Sequence, residues 1–312
     1  LYPDAFNNAD EAILQTSDHL HAIEFAEAID PVSLPAIRRR IDTPSKRGWH
    51  DAVVETLGAF EESVLKKVVL ARETQLQMDG PLDPVALLTQ LVARSVNAFD
   101  FCFHPAPNRA FIGSSPERLY KRVESYVQSE AIAGTRPRGK SDAEDQRLAQ
   151  ELMRSAKDQS EHAFVVDMLR EHFDRFCRCV HVEEGPDILQ LRHCQHLRTR
   201  VEGLLHDADS DAALLKALHP TPAVGGVPRE MALRWIEEHE AFDRGIYAAP
   251  VGWVGADAAE FCVGIRSGLI SRDILALYAG AGIVPGSDPT EEWEEVENKM
   301  ANFMSVLPGH VD

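Results

Sequence analysis

Four short segments decide how this chain is read: Phe99-Asp-Phe-Cys-Phe-His104, Arg109-Ala-Phe-Ile-Gly113, Arg118-Leu-Tyr-Lys-Arg-Val123 and Tyr126-Val-Gln-Ser-Glu-Ala-Ile132. Aromatic and aliphatic residues crowd them and turn formers such as Pro107-Asn108 and Ser114-Ser-Pro116 divide them, which predicts consecutive strands of an antiparallel meander. Upstream, Trp49, Val53, Leu57, Phe60 and Val64 recur every three or four residues and predict an amphipathic helix over 48–65. It leads into a strand, Lys67-Val-Val-Leu-Ala-Arg72, where alternation sets Lys67, Val69 and Ala71 on one face and Val68, Leu70 and Arg72 on the other. Asp83 before Pro84 marks a capped helix start. Downstream, the patterns predict helices over 143–155, 159–176, 210–218, 228–239 and 289–305, with strands over 177–183, 195–202, 246–254, 260–270 and 273–279. Runs of strands broken by runs of helices, without strict alternation, predict an α+β architecture of antiparallel sheets with helices packed around them.

The chain has 312 residues, 44% hydrophobic and 26% charged, enough to bury a large core. No Pro/Gly/Ser-rich linker, low-complexity tract or internal repeat divides it, so one domain over residues 1–312 is expected. It begins with Leu1 rather than Met, which leaves a processed or truncated N-terminus open. No apolar run approaches the roughly 20 residues of a membrane span, and no basic start followed by an apolar stretch reads as a leader; no membrane and a cytoplasmic location are expected. The net charge of −18 opposes nucleic acid or an anionic membrane as partner. A small anionic substrate would need a local basic pocket or a metal. Cys177, Cys179, His181, His193, Cys194 and His196 lie close in sequence, but without C-x-x-C or H-x-x-x-H spacing they read as core and strand residues rather than a zinc site.

Several residues have two readings. Glu117 follows Pro116, which fixes the turn and gives the carboxylate a direction; it is a candidate acid or a surface partner of Arg118. Lys67 heads a strand and is a buried, activated amine or a solvated edge residue. An amine with an ordinary pKa of about 10.4 needs burial or nearby positive charge to be neutral near pH 7. Glu292, Glu295 and Lys299 share one helix face by their spacing of three and four, and the acidic run around them also reads as a solvated face, the reading taken for Glu291, Glu294 and Glu297. Arg266 alternates with Val263 and Ile265 beside Gly264; its planar fork suits a carboxylate. Gly280, Gly282 and Gly134 allow close backbone approach, but the pair of glycines is not a dinucleotide fingerprint.

Six strings occur in order: Lys67-Val-Val-Leu-Ala-Arg72, Ser114-Ser-Pro-Glu-Arg118, Ile132-Ala-Gly-Thr-Arg-Pro-Arg-Gly139, His219-Pro-Thr-Pro-Ala-Val-Gly-Gly226, Gly264-Ile-Arg-Ser267 and Ala279-Gly-Ala-Gly-Ile283. Together they resemble the chorismate-utilising enzymes, whose members form isochorismate, salicylate, anthranilate and aminodeoxychorismate; the resemblance runs from about Trp49 to Lys299. It implies that Lys67 is a general base activating water and Glu117 the general acid. It also implies that Glu161 and Glu295, with Glu292, hold Mg2+, and that Gly134, Thr135, His219, Ala223, Arg266, Gly280, Gly282 and Lys299 bind substrate.

Within the family, His219-Pro-Thr-Pro-Ala-Val resembles the isochorismate-forming version of its loop, and Ala133 stands where aminodeoxychorismate-forming members carry a nucleophilic lysine. The implied activity is Mg2+-dependent conversion of chorismate to isochorismate, feeding menaquinone, siderophore or salicylate formation, with no glutaminase partner. The alternatives are onward loss of pyruvate to salicylate, an anthranilate-forming component, and a chorismate-binding homologue without turnover.

Overall fold

The computed structural model describes residues 33–206 and 210–309. Contacts divide the chain after Ser33, and the unit from Leu34 onward holds all the described strands and helices; the first 32 residues of the expected 1–312 domain lie outside the described residues.

One seven-stranded sheet has the order β1 (Ile37–Thr43), β2 (Lys67–Met78), β14 (Ile274–Ile283), β13 (Ser267–Ser271), β4 (Arg109–Ser115), β3 (Phe99–Ala106), with the short β10 (Gly226–Val227) also on β2. The other runs β11 (Pro250–Val254), β12 (Ala258–Val263), β5 (Arg118–Val123), β6 (Tyr126–Pro137), β9 (Cys194–Leu205), β7 (Cys177–Val182), with β8 (Asp187–Gln190) on β9. The ladders are antiparallel. Seven helices are described: α1 (Lys46–Glu62), α2 (Pro84–Val92), α3 (Asp142–Arg154), α4 (Ala156–Phe176), α5 (Asp211–Leu218), α6 (Arg229–His239) and α7 (Pro289–Met304).

Short polar residues start most of these helices by accepting a free amide of the first turn: Ser45 from Gly48, Asp83 from Ala86, Ser155 from Asp158, and Asp288 from Thr290 and Glu291. The expected helix at 48–65 and the capped start at Asp83 are present, the first shifted by two or three residues. Trp49 and Val53 of α1 join Trp293, Met300 and Phe303 of α7 in a core on one face of the first sheet. A second core takes Ala71 and Tyr278 from the first sheet, Tyr120, Val127 and Val201 from the second, and Phe173 from α4. The sheets therefore face each other across apolar side chains, and β2 is buried on both faces over residues 67–72.

Three expectations are corrected. The meander is two hairpins, because β3 and β4 pair in the first sheet while β5 and β6 pair in the second. The chain crosses between sheets at Pro116-Glu117, where proline removes a ladder donor. The expected strand 260–270 is two strands, broken at Gly264-Ile-Arg266, where Arg266 has φ 50°. β8 lies between the expected strands 177–183 and 195–202, and β11 begins four residues later than expected. Among the described residues no helix is long and apolar enough to cross a membrane.

Candidate active site

The hydrophobic spacing of β2 carries a lysine into the interior. Lys67 is fully buried, and Val69, two residues on, lines a cavity between the sheets. Lys67 Nζ lies 2.9 Å from Glu161 Oε1 of α4 but outside hydrogen-bond geometry, so its N–H groups have no hydrogen-bond partner. Gly282 makes this pair fit: a Cβ there would stand 2.2 Å from Glu161 Oε1 and 2.9 Å from Lys67 Cε.

Glu117 reaches the same cavity from the sheet-crossing step. It is buried, does not pair with Arg118, and accepts a hydrogen bond from Thr221 Oγ1 at 3.2 Å. Arg118 is satisfied instead by Glu260 and Glu130. Burial pushes the Glu117 carboxyl up to about 7, against the opposing pull of Thr221, Lys67 and Lys299. The surface-pair reading of Glu117 and the solvated-edge reading of Lys67 both fail on burial.

Gly134 sits at a register shift in β6 with φ 72°. A Cβ there would meet Asp158 at 3.0 Å, so the bulge needs glycine. Ala133, Gly134 and Thr135 line the cavity, as do Ala223 and Gly280. His196 ties the bulge to Arg266: Nδ1 lies 3.0 Å from the Gly134 carbonyl and Nε2 3.2 Å from Arg266 Nη2. Arg266 is buried, and its remaining hydrogen bonds go to Cys194 Sγ and the Lys299 carbonyl; no carboxylate is among its hydrogen-bond partners. Lys299 Nζ donates to the Gly280 carbonyl at 2.8 Å and to Glu295 at 2.6 Å.

Five expected residues stand differently, of which Lys67 and Gly282 do not line the cavity themselves but meet Glu161, which does. His219 is not among the cavity's lining residues: its Nε2 lies 2.8 Å from the Ala248 carbonyl, a strut beside Tyr247. Glu292 and Glu295 open instead onto an adjoining cleft that shares Thr135 with the cavity. Lys157 pairs with Glu292 and feels Glu295 and Glu161 as well, so an ammonium sits within the field of all three carboxylates. Burial and the neighbouring Glu295 push Glu292 up to about 7. Among the described residues no group of three His, Cys, Asp or Glu side chains is drawn together closely enough to hold a metal. The donors suit a hard cation, and each of the three is paired with a lysine: Glu161 with Lys67, Glu292 with Lys157 and Glu295 with Lys299. The solvated reading of Glu297 is also corrected, since it pairs with Arg40 and Arg72.

Sequence reasoning gave no role to Thr221, His196, Tyr247, Asp158 or Lys157. Tyr247 lines the cavity, with its hydroxyl pushed up to about 12 by burial. It falls within the expected strand 246–254 but precedes the strand that begins at Pro250, and the pairing of Lys157 with Glu292 spans 135 residues.

The family model described as chorismate binding enzyme matches residues 4–308. The chain is 41% identical over 298 residues to the chloroplastic isochorismate synthase of Catharanthus roseus, covering 94% of this chain and 51% of that protein. It is 37% identical to isochorismate synthase MenF of Escherichia coli over 93% of this chain and 68% of the relative. Against the solved structure of that menaquinone-specific MenF the TM-score is 0.85 at 35% identity, covering 95% and 69% of the two chains. Anthranilate synthase component I of Streptococcus pneumoniae shares the fold, with a TM-score of 0.79 at 23% identity and coverage of 97% and 66%. The chain spans about half the length of the plant relatives it matches.

Proposed function

This chain belongs to the chorismate-binding enzymes, and within that family we propose that it converts chorismate to isochorismate, adding water at C2 and losing the C4 hydroxyl. One observation carries the reading: a buried carboxyl held at about 7 lines a cavity together with Glu161, whose carboxylate lies 2.9 Å from the fully buried Lys67, and with Arg266, which has no carboxylate to pair with. Near neutral pH a substantial fraction of Glu117 is protonated, which suits a general acid. Lys67 takes a proton from the attacking water while Glu117 gives one to the departing hydroxyl. One water enters and one leaves, so the net change is an isomerisation.

Arg266 and Lys299 are proposed to hold a substrate carboxylate, with the backbone at Gly134, Thr135 and Gly280 closing around the ring. Glu161, Glu292 and Glu295 are the proposed magnesium ligands. The ion would supply positive charge for a dicarboxylate entering a protein of net charge −18. For those carboxylates to turn toward a cation, Lys67, Lys157 and Lys299 would have to release them, and without the Glu161 charge beside it the buried Lys67 ammonium would give up a proton to solvent more readily, leaving the neutral amine that a base requires. Water serves as nucleophile because Ala133 brings only a methyl group to the cavity wall. No glutaminase partner is required, since no ammonia is consumed.

The test is product analysis after incubation with chorismate and magnesium, with and without ammonia. Isochorismate alone is the expected product under both conditions. Salicylate with pyruvate, or anthranilate in the presence of ammonia, would assign the chain to another branch, and no turnover would favour a silent binding homologue.

A further inference from the structure

A second cavity adjoins the first and shares Pro116 and Arg266 with it. Arg94, Arg192, His193, Ser114 and Cys194 also line it, and no acidic residue does, which is unusual ground in a chain of net charge −18. Ser114 is only 4% exposed, and its hydroxyl has no hydrogen-bond partner. Cys194 is buried, with Sγ 3.6 and 3.5 Å from Arg266 Nη1 and Nη2 and 3.4 Å from His196 Nε2. A fork suited to two carboxylate oxygens closes on sulfur instead.

We propose that Cys194 is an oxidation site for hydrogen peroxide, reached through this second cavity, and that its oxidation weakens the hold of Arg266 on a substrate carboxylate. The second half rests on the role given to Arg266 under the proposed function; the first does not. The thiolate sulfur attacks one peroxide oxygen. An S–O bond forms, the O–O bond breaks, sulfur gives up two electrons, and the departing hydroxide takes a proton to leave as water, giving a sulfenic acid. Peroxide has two heavy atoms and fits the cavity, and the free Ser114 hydroxyl together with the three guanidinium groups suits the departing anion.

Reactivity follows thiolate character. Burial alone would raise the Cys194 thiol, but the charges of Arg266 and His196 outweigh it and bring the group to about 6. Burial instead pushes Cys262 up to about 12 and raises Cys102. With both terminal nitrogens of Arg266 already against Sγ, an added oxygen must either displace the fork or take up its donors. Cys194 is thus a positioning residue acting through Arg266, so its oxidation should raise KM and spare kcat.

The test treats the whole chain with hydrogen peroxide in the presence of dimedone and maps the adduct by peptide mass in wild type and Arg266→Gln. Dimedone is expected on Cys194 ahead of Cys102 and Cys179, and about tenfold more slowly in Arg266→Gln, as thiolate control of the rate requires. With peroxide alone, the wild-type KM for chorismate should rise about tenfold, the scale of one weakened charge-assisted hydrogen bond, and dithiothreitol should reverse it. The same treatment should leave Cys194→Ser unmoved, with Cys194→Ala in its place if the serine variant does not fold. Absence of an adduct at Cys194, equal labelling in Arg266→Gln, or the same KM rise in Cys194→Ser would each overturn the proposal. Labelling is read by mass, so a chain inactive on chorismate would defeat the proposed function while the adduct still decides whether Cys194 is the oxidation site.

Discussion

Lys67 and Arg72 stand five residues apart on β2 on opposite faces of the strand, and both are fully buried. Arg72 pairs with Glu297, lies 3.7 Å from Asp42, and stacks its guanidinium 3.8 Å from the centre of the Trp293 ring. Its face joins helices α1 and α7. Lys67 has one carboxylate nearby and no hydrogen bond at all. A buried charge is costly unless paired, so the two neighbourhoods teach different things: Arg72, although its Nε and Nη1 make no hydrogen bond, has two carboxylates and an indole ring around it, whereas Lys67 has a single carboxylate contact, with Glu161, which lines the cavity. An under-partnered ion pair next to a cavity that also holds the raised carboxyl of Glu117 is a mark of chemistry.

The sharpest way to break this contrast is to remove each cation. Lys67→Ala, and Glu117→Gln in the cavity wall, should each cut turnover by about 10²–10⁴-fold while the variants stay folded, the scale of a lost general acid or base. A folded variant of either that works at the wild-type rate would remove the residue from the mechanism. Chelation comes next: EDTA should stop the reaction, and Glu161→Gln and Glu295→Gln should raise the magnesium concentration for half-maximal rate. Undiminished turnover in a metal-free preparation would contradict the role given to these carboxylates. Arg72→Met should do the reverse of Lys67→Ala, lowering unfolding stability by about 3 kcal/mol while kcat per folded molecule stays near wild type, as denaturant titration beside active-site-normalised kinetics would reveal.

The last effect concerns Glu117 alone. Its folded value of about 7 stands above its ordinary 4.5, so folding favours the protonated carboxyl. The stability it contributes is full below about 4.5 and is lost as pH rises to about 7, at up to about 1.4 kcal/mol per pH unit. Urea midpoints collected across that window should slope less in Glu117→Gln than in wild type, and parallel slopes would mean the carboxyl is not held protonated by burial.

Much of this was legible in the residues. The alternation at 67–72 put Lys67 with Val69 and Ala71 on the face that meets the other sheet, and Asp83-Pro84 capped a helix as its chemistry requires. Local patterns could not reveal which hairpin joins which sheet, because β3–β4 and β5–β6 look alike in sequence and differ only in long-range partners. For the same reason Arg266 read as a strand residue: alternation runs through Val263 and Ile265, and only the left-handed backbone at 266 breaks it. The lysine partners of the three proposed magnesium ligands come from β2, α4 and α7, and two of those pairings are distant in sequence. His219 matched a family string, yet it touches a main-chain carbonyl rather than the cavity.

The central claim is that the buried Lys67 and Glu117 exchange one water for one hydroxyl on the ring, and oxygen-18 water tests it most directly. Turnover of unlabelled chorismate by the wild-type chain with magnesium, followed by mass analysis of the isochorismate, should find one solvent-derived oxygen, introduced as the C2 hydroxyl. Isochorismate that keeps only the original oxygens would mean the hydroxyl migrates without leaving, and neither the base nor the acid described here would then have a proton to move.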